Sequence, residues 1–155
     1  MKALFLDRDG VINVHRGYVY KQEDFEFIPG VFEVCRFAKQ LGYLIFVVTN
    51  QGGIGRGYYT TQDFIKLTLW MLRGFEAQGV NIDKVYFCPD VSSPNRKPAP
   101  GMILQAAKDF GVDLSSSIMV GDNETDIQAG IAAGVGTNLL IRRNYGKKEG
   151  MENGL

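Results

Sequence analysis

Five short apolar segments alternate along the chain with longer stretches in which apolar and polar residues are mixed. The segments run from Ala3 to Leu6, Tyr43 to Val48, Lys84 to Phe87, Ile118 to Val120 and Thr137 to Ile141. Short apolar runs of this kind are typical of strands that are buried on both faces of a parallel sheet. The pattern therefore predicts a mostly parallel sheet of about five strands.

Four of the intervening stretches carry apolar residues at helical spacing. The first opens at Pro29-Gly30, and its apolar face consists of Val31, Val34, Cys35, Ala38 and Leu41. The others run from Thr60 to about Gln78, from Pro100-Gly101 to Gly111, and from Thr125 to Ala133. Thr60 and Asp63 resemble a capping box at the start of the second helix. Because strands and helices alternate, we expect βαβ units and an α/β fold with helices on both faces of the sheet.

Length and charge narrow the class of protein. At 155 residues, the chain is long enough for one domain with one core. Lys+Arg and Asp+Glu number 17 each, so neither a nucleic-acid partner nor a membrane surface is expected. The two cysteines do not form a disulfide framework, which favours a reducing cytoplasm. We expect a domain over residues 1–142, a flexible tail over 143–155, and a monomer.

Polar residues stand at the ends of the predicted strands. Asp7 and Asp9 follow the first strand, Thr49 the second, and Asp122 the fourth, while Lys97 precedes a helix. Because the carboxyl ends of parallel strands meet in one crevice, we expect these side chains to converge there. Carboxylates bind Mg²⁺, and a lysine with a hydroxyl stabilises a phosphoryl group. The pattern therefore predicts a phosphoryl-transfer site.

The motif order D-x-D-G, T-N, K and G-D-x-x-x-D resembles the haloacid dehalogenase (HAD) superfamily of aspartate-nucleophile phosphatases. The segments F-L-D-R-D-G-V-I-N, V-T-N-Q-G-G-I-G-R-G and R-K-P-A-P-G-M resemble its heptose bisphosphate phosphatases, from Leu4 to about Ile141. The resemblance implies a HAD-like Rossmannoid three-layer sandwich without a cap domain. It also implies removal of the 7-phosphate from D-glycero-D-manno-heptose 1,7-bisphosphate, in lipopolysaccharide or surface-glycan precursor synthesis.

The resemblance assigns roles that the chemistry of the residues supports. Asp7 is expected to attack phosphorus and form an aspartyl-phosphate, and Asp9 to act as general acid and base. Thr49 and Lys97 are expected to stabilise charge on the transferring oxygens. Asp7, the main-chain carbonyl of Asp9, and Asp122 are expected to bind Mg²⁺. Asp126 has two interpretations: it supports the site, or it is an acid at a helix start.

The same resemblance predicts contacts with a small phosphorylated sugar. The expected substrate-binding residues are His15, Arg16, Gly17, Tyr18, Asn50, Gln51, Gly52, Arg96 and Asn123. The guanidinium of Arg96 suits a sugar hydroxyl or the second phosphate. Arg56 is another candidate, although it is equally well explained as a solvated loop cation. His15 is equally well explained as an exposed loop residue.

One departure from the family concerns zinc. Better-known members carry a zinc loop of three cysteines and a histidine just before the R-K-P motif. Between Cys88 and Lys97 this chain has no further cysteine and no histidine. Because a structural zinc site needs four such ligands at close spacing, we expect Mg²⁺ and no zinc.

Several other functions share these residues. Histidinol-phosphate phosphatase, or a phosphatase of another small sugar phosphate, is the alternative among enzymes. Among other classes, a receiver-like signalling domain also combines an acidic Mg²⁺ site with a Thr and a Lys, but its phosphorylated Asp follows a middle strand. An inactive sugar-phosphate binder is less favoured, because every position with a chemical role is filled.

Overall fold

A computed structural model describes residues 1–142 of the chain. Its strands are β1 (Lys2–Leu6), β2 (Tyr43–Asn50), β3 (Lys84–Cys88), β4 (Ile118–Gly121) and β5 (Thr137–Leu140). All neighbouring strands pair in parallel, in the order β3-β2-β1-β4-β5. The prediction of a parallel sheet of about five strands is confirmed. The predicted flexible tail, 143–155, lies outside the described residues.

Five helices connect the strands. They are α1 (Val31–Gln40), α2 (Gly52–Gly55), α3 (Thr61–Ala77), α4 (Gly101–Phe110) and α5 (Glu124–Ala133). The predicted capping box is present, with reciprocal hydrogen bonds between Thr60 and Asp63 at the start of α3. Short 3₁₀ turns occupy Gln22–Asp24 and Leu114–Ser116. Within residues 1–142, none of the helices combines the length and the apolar character that crossing a membrane requires.

The sheet separates two apolar cores. Alternate residues of a strand point to opposite faces, so Leu4 and Leu6 pack with α1 and α3, whereas Ala3 and Phe5 pack with α4 and α5. Burial on both faces explains why the central strands β1 and β2 appear in the sequence as apolar runs. The structure is therefore the predicted three-layer α/β sandwich.

The predicted apolar face of α1 is too wide. Val31, Cys35 and Ala38 are buried, but Val34 is 58% exposed and Leu41 is 50% exposed. The three buried residues lie on the narrow stripe that faces the sheet, while Val34 and Leu41 lie on one flank of that stripe. Helical spacing alone does not distinguish the stripe from its flank.

The segment between β1 and α1 covers the carboxyl ends of the strands. It is more ordered than a loop of mixed polarity suggests, because Ile12, Val19 and Phe25 are buried in the core. Isolated bridges join Asn13 to Asp9 and to Phe27. This segment forms one wall above the ends of β1, β2 and β4.

Candidate active site

A cleft of about 470 Å³ opens at the carboxyl end of the sheet. Its walls come from the segment after β1, the segment after β2, the loop before α4, and the start of α5. The predicted residues that line it are Asp7, Asp9, His15, Gly17, Tyr18, Asn50, Gln51, Gly52, Arg96, Lys97, Asp122 and Asn123. Arg56 and Asp126 also line it. The topology therefore brings together residues that are up to 119 positions apart, from Asp7 to Asp126.

Asp7 lies where β1 ends. Its backbone N–H donates to the carbonyl of Val120 at 3.1 Å, which keeps the residue in the sheet and directs its side chain into the cleft. Burial raises the pKa of Asp7 to about 7, even though Lys97 acts in the opposite direction. The nearby carboxylates of Asp126 and Asp9 raise this pKa further. Asp7 is thus an acid whose charged form needs a cation.

Lys97 supplies one cation beside it. The Lys97 ammonium donates to Asp7 Oδ1 at 2.9 Å, to Asp126 Oδ1 at 2.6 Å and to the carbonyl of Val48 at 2.8 Å. Burial alone would lower the pKa of Lys97, but the two carboxylates outweigh it and the pKa is raised. All three ammonium hydrogens are used, so Lys97 is a fixed positive charge in the cleft.

Asn50 holds the backbone of Lys97 in place. Its side-chain oxygen accepts from the Lys97 N–H at 2.9 Å, and its amide nitrogen donates to the Lys97 carbonyl at 3.0 Å. This reciprocal pair fastens the loop before α4 to the end of β2. Asn50 lines the cleft as predicted, but its amide is engaged with Lys97.

Asp7 also belongs to a group of three carboxylates that is suited to binding a metal ion. Asp7, Asp122 and Asp126 each place one oxygen within 4.8 Å of the others. Carboxylate oxygens are the hard donors that Mg²⁺ prefers. Gly10 makes room for Asp122, because a Cβ at Gly10 would lie 1.9 Å from Asp122 Oδ2.

Both interpretations of Asp126 apply in the structure. It is nearly fully buried, and its Oδ1 accepts from Lys97. Its Oδ2 accepts from the N–H of Asn123, which forms the capping box of α5. The same carboxylate therefore starts the helix and supports the site.

The Asp9 carboxylate lines the cleft and is held by two hydrogen bonds to one of its oxygens. Its Oδ1 accepts from Arg8 Nη2 at 2.9 Å and from Asn13 Nδ2 at 3.0 Å. Arg8 also donates to the carbonyl of Val19 at 2.6 Å, which ties the segment after β1 to the site. The sequence analysis missed Arg8 and Asn13, although both are polar residues beside a buried strand end and both are buried.

Thr49 is fully buried and is not among the residues that line the cleft. Its hydroxyl accepts from Gln51 Nε2 at 2.9 Å and lies 3.4 Å from the carbonyl of Asn50. Gln51 in turn accepts a hydrogen bond from the hydroxyl of Tyr59. Sequence reasoning missed Tyr59, because no pattern near Tyr58-Tyr59 indicates which ring turns inward.

Arg16 is the predicted substrate residue that the structure does not bring to the cleft. Its guanidinium forms an ion pair with Glu26 and donates to the carbonyl of Asp24 at 3.4 Å. A long side chain on an exposed segment finds a local carboxylate, which its position in the sequence does not reveal. The neighbouring His15 does face the site, with Nδ1 3.7 Å from Asp122 Oδ2. The Asp122 carboxylate raises the pKa of His15.

The loop before α4 is organised by hydrogen bonds. Cys88 Sγ lies 3.8 Å from the Asp90 carbonyl and from Ser93 Oγ. The Arg96 guanidinium donates to the Asp90 carbonyl at 3.3 Å and crosses above Gly52, where a Cβ would lie 2.9 Å from its Nη1.

Asp7, Asp122 and Asp126 form the one group of three or more potential metal ligands found among residues 1–142.

Comparisons with known proteins agree with this geometry. The HAD-hydrolase-like family model matches residues 94–152. A D-glycero-alpha-D-manno-heptose-1,7-bisphosphate 7-phosphatase of Campylobacter jejuni is 53% identical over 150 residues, which cover 96% of this chain and 86% of that protein. A D-glycero-beta-D-manno-heptose-1,7-bisphosphate 7-phosphatase of Helicobacter pylori is 50% identical over 147 residues, with coverages of 92% and 85%.

A solved structure supports the same relationship. The D,D-heptose 1,7-bisphosphate phosphatase of B. bronchiseptica, complexed with magnesium and phosphate, superimposes with a TM-score of 0.83. It is 31% identical, and the match covers 90% of this chain and 80% of that one. The sheet order, the acidic cleft and these identities show that the chain belongs to the heptose-1,7-bisphosphate 7-phosphatase family of HAD-like hydrolases.

Proposed function

We propose that this chain removes the 7-phosphate from D-glycero-D-manno-heptose 1,7-bisphosphate through an aspartyl-phosphate on Asp7. The observation that carries the proposal is the position of Asp7, which accepts from the Lys97 ammonium and lies within 4.8 Å of carboxylate oxygens of Asp122 and Asp126. The relatives that are 53% and 50% identical are named for this reaction. The other proposed catalytic residues, Asp9, Thr49 and Lys97, are assigned to the same phosphoryl transfer.

Asp7 is the nucleophile of the first step. One of its oxygens attacks phosphorus, the bond from phosphorus to the sugar oxygen breaks, and a phosphoryl group is left on Asp7. Lys97 holds Asp7 Oδ1 in position and offsets negative charge at the transferring group. In the second step, water attacks the phosphoryl group and releases phosphate, which regenerates the Asp7 carboxylate.

Asp9 is the proton donor and acceptor. Arg8 and Asn13 both donate to its Oδ1, so we assign proton transfer to Oδ2. The protonated carboxyl gives its proton to the leaving sugar oxygen in the first step. The resulting carboxylate then takes a proton from the attacking water, which leaves Asp9 as it began.

We infer that Mg²⁺ is the cofactor and that zinc is not. Asp7, Asp122 and the carbonyl of Asp9 are the proposed ligands, and Asp126 lies within reach of the same position. A bound Mg²⁺ lets an anionic nucleophile approach an anionic phosphate. The loop from Cys88 to Arg96 is held by its own hydrogen bonds, so its geometry does not require a metal.

The rest of the cleft is the proposed sugar-phosphate site. Arg96 and Arg56 are its cationic side chains apart from Arg8 and Lys97, and they suit the 1-phosphate. His15, Tyr18 and Asn123 supply polar groups for the heptose hydroxyls, whereas both polar atoms of the Gln51 side chain are engaged with Thr49 and Tyr59. Thr49 would need to redirect its hydroxyl toward the phosphoryl group.

We propose that residues 1–142 form one capless catalytic unit, because the segments that line the cleft, from Asp7 to Asp126, all lie within the same α/β sandwich. The monomer and the cytoplasmic location remain predictions. The two free thiols, Cys35 and Cys88, are both buried and agree with a reducing compartment.

A substrate panel tests the proposal. With Mg²⁺ present, phosphate release is measured from the α and β anomers of heptose 1,7-bisphosphate, from histidinol phosphate, and from hexose phosphates. We expect one heptose anomer to give the highest kcat/KM. Faster hydrolysis of histidinol phosphate would show that it, rather than heptose bisphosphate, is the substrate. Phosphorylation of Asp7 without turnover would favour the receiver-like signalling domain.

A further inference from the structure

Tyr59 is a buried side chain in the cleft to which the proposed mechanism gives no role. Its ring stacks on Tyr20, with ring centroids 4.8 Å apart and an interplanar angle of 6°. The ring also lies against Gly53, where a Cβ would come within 2.3 Å of Tyr59 Cε1. These contacts fix the position of the Tyr59 hydroxyl.

The Tyr59 hydroxyl fixes the orientation of Gln51. It donates to Gln51 Oε1 at 2.5 Å, and Gln51 is itself nearly fully buried. Burial raises the pKa of Tyr59 to about 12, so the hydroxyl keeps its proton at neutral pH and acts as a donor. With its oxygen facing Tyr59, Gln51 presents Nε2 to Thr49.

Gln51 in turn directs the Thr49 hydroxyl. Gln51 Nε2 donates to Thr49 Oγ1 at 2.9 Å, which occupies one lone pair of that oxygen. The single hydroxyl proton must then point away from Gln51. Its partner here, the Asn50 carbonyl, is 3.4 Å away, which is long for a hydroxyl donor. The proton can therefore turn to a better acceptor, such as a phosphoryl oxygen.

We propose that Tyr59 is a positioning residue for phosphoryl transfer, acting through Gln51 to set the direction in which the Thr49 hydroxyl donates. The inference rests on the proposed function, since it assumes that a phosphoryl group is transferred at Asp7. Tyr59 itself does not touch the reacting atoms. Its contribution is to keep Gln51 Nε2 on one lone pair of the Thr49 hydroxyl, so that the hydroxyl proton is directed away from Gln51 and is left to turn to the phosphoryl group when the substrate binds.

Tyr59→Phe separates the hydroxyl from the ring, because the variant keeps the stack on Tyr20. We expect kcat to fall roughly tenfold with KM little changed, which is less than the roughly 10²–10³-fold loss for removing a donor outright. Thr49→Val, which keeps the shape of Thr49, is expected to show that larger loss. In the double variant, Tyr59→Phe should add nothing, because no hydroxyl is left to orient.

Tyr86→Phe is the matched control. Tyr86 is also a buried tyrosine, its hydroxyl donates to Asp109 Oδ2 at 2.7 Å, and it does not line the cleft. We expect this variant to lower the melting temperature without changing kcat. The variant Gln51→Leu breaks the same chain of hydrogen bonds at its middle and should match the kcat loss of Tyr59→Phe.

Two readouts distinguish this inference from the proposed function. Turnover is measured with heptose bisphosphate and with a small aryl phosphate. If heptose bisphosphate is not the substrate, the aryl phosphate still gives the ratio of each variant's kcat to that of the wild type. Binding of orthovanadate with Mg²⁺, followed by calorimetry, gives the same double-variant cycle without turnover. An unchanged kcat and vanadate affinity in Tyr59→Phe, or losses that add fully to those of Thr49→Val, would overturn the role of Tyr59.

Discussion

The Lys97 ammonium donates to Asp7 Oδ1 at 2.9 Å, although 90 positions separate the two residues in the chain. The same ammonium donates to Asp126 at 2.6 Å, so one buried cation joins two buried carboxylates. The ends of β1 and β2 and the starts of α4 and α5 meet around this contact. The site is therefore a buried cluster of one cation and two carboxylates on which both catalysis and stability depend.

Replacing Lys97 should destabilise the protein as well as stop turnover. Lys97→Met leaves Asp7 and Asp126 buried without their cation, and breaking a buried pair in this way costs about 3–5 kcal/mol. Chemical denaturation in EDTA measures the free energy of unfolding. Lys97→Met/Asp126→Asn is the matched control, and it should be more stable than Lys97→Met alone because less charge is left unpaired. If Lys97→Met and the wild type unfold at the same denaturant concentration, the loss of Lys97 does not leave Asp7 and Asp126 as unpaired buried charges.

The raised pKa of Asp7 predicts how the metal-free protein responds to pH. Its ordinary value is 3.8, and in the folded chain it rises to about 7. Between these values the folded state binds more protons than the unfolded state, so the free energy of unfolding falls as pH rises. We expect a loss on the order of a few kcal/mol from pH 5 to pH 8 in EDTA.

Asp7→Asn is the control for this pH effect, because an amide does not titrate. Its unfolding free energy should fall much less between pH 5 and pH 8, with His15, whose pKa is also raised, still titrating, and it should exceed that of the wild type most clearly at pH 8. Thermal melts across this range in EDTA measure both proteins. Parallel curves for the two proteins would show that Asp7 keeps an ordinary pKa.

Gly10→Ala tests the crowding beside Asp122. Gly10 has a φ of +89°, and a Cβ there would lie 1.9 Å from Asp122 Oδ2. Gly42 has a φ of +88°, but an added Cβ meets nothing within 4 Å. Gly42→Ala should therefore cost only the backbone strain, about 1–2 kcal/mol. Gly10→Ala should cost more and should also weaken Mg²⁺ binding by displacing Asp122. Equal losses of stability and unchanged Mg²⁺ affinity would contradict this.

Much of the fold was predictable because burial on both faces leaves a strong signal. The central strands β1 and β2 appear as apolar runs, and the acids after β1 and β4 mark the ends where a parallel sheet gathers ligands. The capping box at Thr60 was equally clear, because its two partners are only three positions apart.

Features that depend on contacts distant in sequence were not predictable. Arg8 and Asn13 are close to Asp9 in sequence, but they donate to it in a segment whose path over the strand ends is held by contacts between more distant residues, such as the hydrogen bond from Arg8 to the Val19 carbonyl. Arg16 turns to Glu26 rather than to the cleft, and Val34 lies on an uncovered flank of α1. In each case the deciding partner is set by packing, which local spacing does not contain.

Because hydrogen bonds hold the loop before α4 in place, we expect the protein to be active without zinc. Cys88 Sγ contacts the Asp90 carbonyl and Ser93 Oγ, and Arg96 closes the loop onto Asp90. A zinc-selective chelator should leave kcat and the melting temperature unchanged, whereas removal of Mg²⁺ should stop turnover. Cys88→Ser should retain activity. One zinc per chain by elemental analysis, lost together with activity, would contradict the prediction.

The most direct test of the central claim is ³¹P NMR of heptose 1,7-bisphosphate during turnover with Mg²⁺. The account predicts that the 7-phosphate signal is replaced by inorganic phosphate while the 1-phosphate signal remains. Asp7→Asn, folded by circular dichroism, should leave both signals unchanged, and Asp109→Asn, which lies outside the cleft, should match the wild type. Loss of the 1-phosphate signal instead, or turnover by Asp7→Asn, would contradict the account.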